Sequence, residues 1–346
     1  MSNEAAWLRE ATADLEVGPA EMYKLEADEV LVKVSAICLN PIDYKVVKQA
    51  IFPLQYPTIV GWSFGGVIEE LGSSVTSFKV GNRVAAMQSP KMRSKAEAGG
   101  YQKYALADPA TLAKLDNNTS VEDAVASVGN VATIACALGS TSFMNLDKPP
   151  VTSDDSKPNP SNKDKKILVY GGSSSVGNYA IQYAVQAGYT VVTTSSPASH
   201  SRVEALGPIA VVSHKQSEEV IVQELAAHGP YARVFDTTGK QEVGSILTKV
   251  FGKKGGSYTG VISGGTPVEL PENVERKAGS FPFELYKPEN AELNKWVYEK
   301  YLPIGLASGK IIPTTVEKVH GGLGAIQGAL ERVAAGEPGK KLVVVL

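Results

Sequence analysis

A chain of 346 residues, 43% hydrophobic and 20% charged, is long enough for two domains and apolar enough to give each a core. Its formal net charge of -2 provides no field for nucleic acid or an anionic membrane. Cys38 and Cys136 are its only cysteines, too few for a disulfide scaffold or a structural zinc site. No uninterrupted apolar run approaches membrane-spanning length. The acidic start, MSNEAAWLREATADLE, lacks the basic and apolar regions of a secretory signal. The expectation is a cytoplasmic two-domain protein without nucleic-acid or membrane partners.

The first third carries short β-like runs separated by turn residues: EVLVKVSAI, GGVIEELG, GNRVAAM and GGYQKYALAD. Their spacing predicts a compact, partly barrel-like β domain. The segment SVEDAVASVGNVATIACALGS then has the acidic start and small residues of closely packed helices. Residues 145–165, NLDKPPVTSDDSKPNPSNKDK, are too polar and proline-rich to form a core and read as a surface loop. From Lys166 the strands KILVY, TVVTTS, AVVSH, YARVFDTT and GSYTGVI are separated by helical stretches such as VGNYAIQYAVQAG and SEEVIVQELAAHG. Apolar strands alternating with amphipathic helices predict a parallel α/β sheet covered on both faces. The tail adds helices at AELNKWVYEKYLPIGLASG and LGAIQGALERVAAG and a last strand, KLVVVL.

One turn carries the chemistry. GGSSSVG gives Gly172-x-Ser174-x-x-Gly177 between a strand and a helix. Gly172 is expected to permit the tight turn and Gly177 the close approach of helix to sheet. Backbone N–H groups around Ser174, Ser175 and Val176 then face a pyrophosphate at the helix N-terminus. The acidic residue that accepts adenosine ribose hydroxyls in NAD sites is missing after the second strand. Ser195, Ser196, Ser199, His200 and Arg202 stand there instead. That set tolerates a 2′-phosphate, so NADP(H) is the expected cofactor. Asp236, at a strand end, is expected to be buried or to cap the next loop.

The order of EVLVKVSAICLNPIDYKV, YPTIVGWSFGGVIEELGSSVTSFKVGNRVA, VYGGSSSVGNYAIQYAVQAGYTVVTTSSP and KLVVVL resembles the medium-chain dehydrogenase/reductase family. Within it, the chain resembles the zinc-independent quinone oxidoreductases and the fungal stand-alone trans-acting enoyl reductases that partner polyketide synthases. The resemblance implies an α/β protein with a GroES-like, mainly β catalytic domain at residues 1–126 and 286–346. A Rossmann domain, with a doubly wound parallel sheet for the cofactor, is implied at 127–285. Zinc-dependent relatives place ligands where this chain has Asn40, Pro41, Trp62 and Ser63, none of which suits zinc, so no metal is expected. Cys38 is expected to be a small buried hydrophobe.

The same resemblance implies hydride transfer to the C=C bond of an α,β-unsaturated carbonyl, which needs a fixed nicotinamide and a donor near the carbonyl oxygen. Tyr44 and Thr133 are the candidate catalytic hydroxyls. Pro41, Ile42, Asp43 and Tyr44 are implied on the nicotinamide side, with Gly260, Val261 and Ile262 holding the carboxamide and Val345 and Leu346 behind it. Ser173, Ser174, Ser175 and Val176 are implied at phosphate. Ser196, Pro197, Ala198, Ser199, His214 and Lys215 are implied around the adenosine, and SGGTPVEL from Ser263 along the substrate cleft. The expected substrate is a small-molecule or carrier-protein-tethered enoyl thioester, enone or quinone, the latter partner being a polyketide synthase, with the protein a monomer or homodimer. A tailoring dehydrogenase of the same fold and a non-catalytic NADPH-binding protein remain alternatives.

Overall fold

The computed structural model describes residues 2–262, 267–336 and 340–346. Two compact units divide the chain, Met1–Gly129 with Asn294–Leu346, and Asn130–Leu293. These boundaries fall three and eight residues after those read from the sequence.

In the first unit β1 (Asn3–Leu8), β2 (Leu15–Ala20) and β4 (Thr58–Ile59) form an antiparallel sheet in the order β2-β1-β4. A seven-stranded sheet uses β3 (Val30–Cys38), β5 (Ser63–Leu71), β6 (Arg83–Met87), β7 (Tyr104–Ala107) and β8 (Leu112–Lys114). Its other members, β15 (Val316–Val319) and β16 (Lys341–Val345), return from the far end of the chain to give β15-β16-β3-β5-β6-β8, with β7 on β3. Along β3 only Lys33 and Ser35 face solvent, while Val32, Val34 and Ile37 join Phe64, Ile68 and Val84 in the core. This alternation commits the strand's register, since a one-residue slip would bury the lysine. Helix α1 (Pro41–Gln49) follows β3 directly, with proline at its first position and Asp43 in its first turn.

Helix α2 (Val121–Ile134) continues as a π turn to Gly139, and the unit boundary falls inside it. By length and composition Val121–Gly139 could cross a membrane, but 72% of the apolar window is buried within the protein. Ser127 and Asn130 break its apolar run in the sequence. It is a core helix.

The second unit alternates strand and helix. β9 (Lys166–Tyr170), α3 (Ser175–Gln186), β10 (Thr190–Ser195), α4 (His200–Glu204) and β11 (Ala210–Ser213) form its first half. α5 (Glu218–His228), β12 (Arg233–Asp236), α6 (Gln241–Phe251), β13 (Gly256–Gly260) and β14 (Val274–Ala278) form its second. All six strands are parallel, in the order β11-β10-β9-β12-β13-β14. The strand order reverses between β9 and β12, the switch point where doubly wound sheets bind ligands at their carboxyl ends. Leu168, Val192, Leu225, Val234, Leu247 and Phe251 fill one layer of the core.

The polar segment 145–165 is better anchored than its composition suggests. Asn162 is wholly buried, and its amide donates to Asp147 at 2.9 Å and to the Ala187 carbonyl at 3.0 Å. Asn162→Ala leaves that carbonyl without a donor. It should lower stability by roughly 1–3 kcal/mol and speed proteolysis within 148–158. Urea unfolding and limited trypsin digestion measure the two effects.

Candidate functional site

Four of the segments singled out from sequence, and one that was not, converge on the carboxyl edge of the parallel sheet. The glycine–serine turn follows β9, Ser196–Ser199 follow β10, and His214 with Lys215 follow β11. Thr237 and Thr238 follow β12, and Val261 with Ile262 follow β13, where the Val261 N–H is held by the Asp236 carbonyl at 3.0 Å.

The turn's geometry is set by backbone contact. The positive φ of 89° falls on Gly171, not on Gly172 as the spacing suggested. Gly172 is needed for room, since a Cβ there would meet Thr193 Oγ1 at 2.2 Å. At Gly177 a Cβ would stand 2.2 Å from the Gly171 carbonyl oxygen, so the helix can lie this close to the strand only with glycine there.

The β10 edge anchors both preceding glycines. Thr194 Oγ1 accepts from the Gly171 N–H at 2.9 Å, and the Thr194 carbonyl accepts from Gly172 at 2.8 Å. Ser174 caps α3, accepting from the Gly177 N–H at 2.9 Å and donating to the Gly171 carbonyl at 2.9 Å. Its hydroxyl and its own N–H are thereby engaged within the turn. The N–H groups of Ser173, Ser175 and Val176 make no hydrogen bond. Three unpaired donors at a helix N-terminus fit a pyrophosphate.

Arg202 brings a positive charge to the same place, donating from Nη2 to the Ser173 carbonyl at 3.0 Å. His200 is paired with Glu204 at 3.2 Å. Beside the turn a cavity of about 370 Å³ is lined by Gly171, Ser173, Ser174, His214 and Lys240, together with Glu218 and Glu242. Burial, with Lys215 and Lys240 adding, lowers the His214 pKa and favours the neutral ring, which suits stacking. Sequence reasoning missed Lys240 and Thr237. Thr237 Oγ1 reaches the Tyr170 and Gly171 carbonyls at 3.0 and 3.1 Å, and FDTTG offered only an unremarked threonine pair as signal. Asp236 is consumed structurally: it accepts from the Thr238 N–H and hydroxyl and from Tyr258, while burial raises its pKa. SGGTPVEL begins outside the described residues, at 263–266.

The remaining candidates lie in the first unit, apart from half-buried Thr133 on α2. Pro41 is exposed, and Ile42 and Tyr44 pack half-buried against the core. Asp43 is fully buried. Its carboxylate accepts from the Asn40 N–H at 2.7 Å and the Trp62 N–H at 3.1 Å, tying α1 to the turn before β5. Burial outweighs these bonds and pushes its pKa up to about 6.

At the β3–α1 junction Asn40 donates to Ser63 Oγ at 3.3 Å and accepts from Lys341 at 2.7 Å. Lys341 is 6% exposed and was not singled out. The antiparallel register sets Val345 opposite Ala36, and Leu346 donates to the Ser35 carbonyl. Val345 is four residues, about 13 Å, along β16 from Lys341, so the strand presents Lys341 to the α1 end, not Val345 or Leu346. Cys38 is buried, its thiol pushed up to about 11 chiefly by burial. Among the described residues, no three His, Cys, Asp or Glu form a group able to hold a metal. A larger cavity of about 590 Å³ lies elsewhere in this unit, among Leu112, Leu115, Tyr298 and Ile304, and none of the sequence-predicted residues lines it.

A six-stranded doubly wound sheet with a glycine turn at its switch point, following a β unit of this topology, defines a nicotinamide-dependent oxidoreductase class. Residues 26–117 match the alcohol dehydrogenase GroES-like domain. The chain is 33% identical over 350 residues to the trans-enoyl reductase himH of Aspergillus japonicus, covering 99% of this chain and 97% of that one. It is 31% identical over 363 residues to the dehydrogenase orsE of Emericella nidulans, covering 100% and 99%. The quinone oxidoreductase of Pseudomonas syringae pv. Tomato DC3000 shares the fold over 100% of both chains, with a TM-score of 0.77 at 22% identity. The chain belongs to the medium-chain dehydrogenase/reductase family and is an oxidoreductase of that family.

Two tests follow from the geometry. Gly177→Ala should open the turn, weakening dinucleotide binding at least tenfold in a fluorescence titration and costing roughly 1–3 kcal/mol of stability. For Asp43, the folded pKa of about 6 lies above its ordinary value of 3.8. The protonated form's stabilisation is therefore complete below about pH 4 and lost as pH rises through 6, roughly 3 kcal/mol in all. Asp43→Asn should flatten that slope in urea midpoints taken from pH 4.5 to 7.

Proposed function

We propose that the protein is an NADPH-dependent, zinc-independent reductase of the C=C bond in α,β-unsaturated carbonyls, an enoyl thioester, enone or quinone. The observation carrying the cofactor half is the turn after β9: three unpaired N–H groups at the start of α3, with Arg202 fastened to the Ser173 carbonyl beside them. Ser196–Ser199 add no carboxylate to oppose a 2′-phosphate. Ser173, Ser175 and Val176 would hold the pyrophosphate through their backbone. Ser196, Ser199 and Arg202 would meet the ribose phosphate, and His214 would cover the adenine. The similarity to himH supports the substrate half, with a polyketide synthase carrier protein as the proposed donor of tethered substrate.

The bound nicotinamide supplies hydride. The chain's part is to fix the reactants, exclude water and place donors near the carbonyl oxygen. Tyr44 and Thr133 are proposed as hydroxyls for that task, and Val261 and Ile262 as backbone partners of the carboxamide. A tailoring dehydrogenase is the second reading, supported by the similarity to orsE. Product mass separates them, two hydrogens gained for reduction and lost for dehydrogenation.

Purified protein mixed with NADPH and a panel of enones and quinones should consume reduced cofactor, with no loss of rate in a chelator. A rate that falls with chelator and returns with zinc would refute the metal-free mechanism. Arg202→Ala should reduce the preference for NADPH over NADH by about tenfold, the loss expected for one charge-assisted contact, read as the ratio of the two dissociation constants. An unchanged ratio would remove Arg202 from the phosphate site.

A further inference from the structure

Thr237 stands one residue beyond β12, at the point where the strand order reverses. Its backbone N–H donates to the Tyr170 carbonyl at 3.1 Å, carrying the pairing of β9 with β12 one step past Asp236. The Asp236 carboxylate holds the following residue, accepting from the Thr238 N–H at 2.8 Å. Between these two ties the Thr237 side chain is half-buried, and its hydroxyl reaches the glycine–serine turn. Thr237 Oγ1 lies 3.0 Å from the Tyr170 carbonyl oxygen, 3.1 Å from that of Gly171 and 3.0 Å from Ser174 Oγ.

The sheet does not need that hydroxyl. Tyr170 already accepts from the Thr237 N–H, and β9 and β12 are in register without the side chain. What the hydroxyl adds falls on the turn. Ser174 Oγ accepts from the Gly177 N–H and donates to the Gly171 carbonyl. A hydroxyl oxygen can accept twice, and Thr237 Oγ1 stands at hydrogen-bond distance from the acceptor position that is left. Gly171 leaves room for the approach, since a Cβ there would be 2.4 Å from Thr237 Oγ1. The turn is therefore tied from two strands. Thr194 of β10 holds the N–H groups of Gly171 and Gly172, and Thr237 of the β12 end holds the carbonyl side and the helix cap.

We propose that the Thr237 hydroxyl is a positioning group for the diphosphate of a dinucleotide. It steadies the Ser174 cap, and with it the unpaired N–H groups of Ser173, Ser175 and Val176 on either side. The assignment rests on the cofactor half of the reading above and extends it to a side chain that acts through Ser174. Donors held in place before binding lose little freedom when the ligand arrives. Without the hydroxyl, β10 still anchors both glycines, so the turn persists while its helix end loosens. The loss then falls on the diphosphate and spares the adenosine end.

Thr237→Val keeps the shape and removes the hydroxyl, whereas Thr237→Ser keeps the hydroxyl. Isothermal titration with three probes reads the difference: NADPH and ADP carry a diphosphate, and 2′-AMP carries only the adenosine end. In Thr237→Val the dissociation constants of NADPH and ADP should rise about tenfold, as for one lost hydrogen bond, while that of 2′-AMP stays within about twofold. Thr237→Ser should bind all three as wild type does. In ligand-free protein the Gly177 N–H, whose acceptor is the Ser174 hydroxyl, should exchange with solvent about tenfold faster in the valine variant and at the wild-type rate in the serine variant. Unchanged ADP affinity in Thr237→Val, an equal loss for 2′-AMP, or a serine variant as weak as the valine overturns the proposal. If wild-type protein binds none of the three probes, the dinucleotide reading fails. The Gly177 exchange then decides alone: a faster rate keeps Thr237 as the group that positions the turn, and an unchanged rate overturns that role too.

Discussion

The second unit depends on one close approach, the Gly177 α-carbon against the Gly171 carbonyl, where any side chain would be 2.2 Å from the oxygen. That contact lets α3 start directly over the end of β9. With the helix so placed, Ser174 folds its hydroxyl back to cap it, and the next two N–H groups are left without a hydrogen bond. The glycines are themselves stitched to β10 through Thr194, so the proposed anion site belongs to the sheet as much as to the loop. Phosphate recognition by backbone is worth little on a mobile loop. Here both strands on which it rests are buried along nearly their whole length, and the donors are set before any ligand arrives.

The first unit solves a different problem. Asp43 is buried at a cost large enough to raise its pKa to about 6, yet its two bonds to backbone N–H groups join α1 to Trp62. A neutral asparagine could satisfy only one of those donors with its oxygen. The carboxylate is the side chain that accepts twice from one small group, and the ionisation penalty is tolerated for that geometry. Lys341, Asn40 and Ser63 extend the arrangement: a buried ammonium bonds the amide, and the amide turns its own donor to the hydroxyl. These bonds tie the start of β16 to the β3–α1 junction.

Patterning carried most of the architecture. Period-two runs marked the strands, helical segments between apolar strands marked the parallel sheet, and the glycine turn marked its switch point. What stayed hidden had two physical causes. Adjacent glycines are interchangeable in a string, so the positive φ was attributed to Gly172 when β10 imposes it on Gly171. A terminal strand's register is set by a partner 300 residues away, so KLVVVL could not reveal that its first lysine, and not its last two residues, meets Asn40.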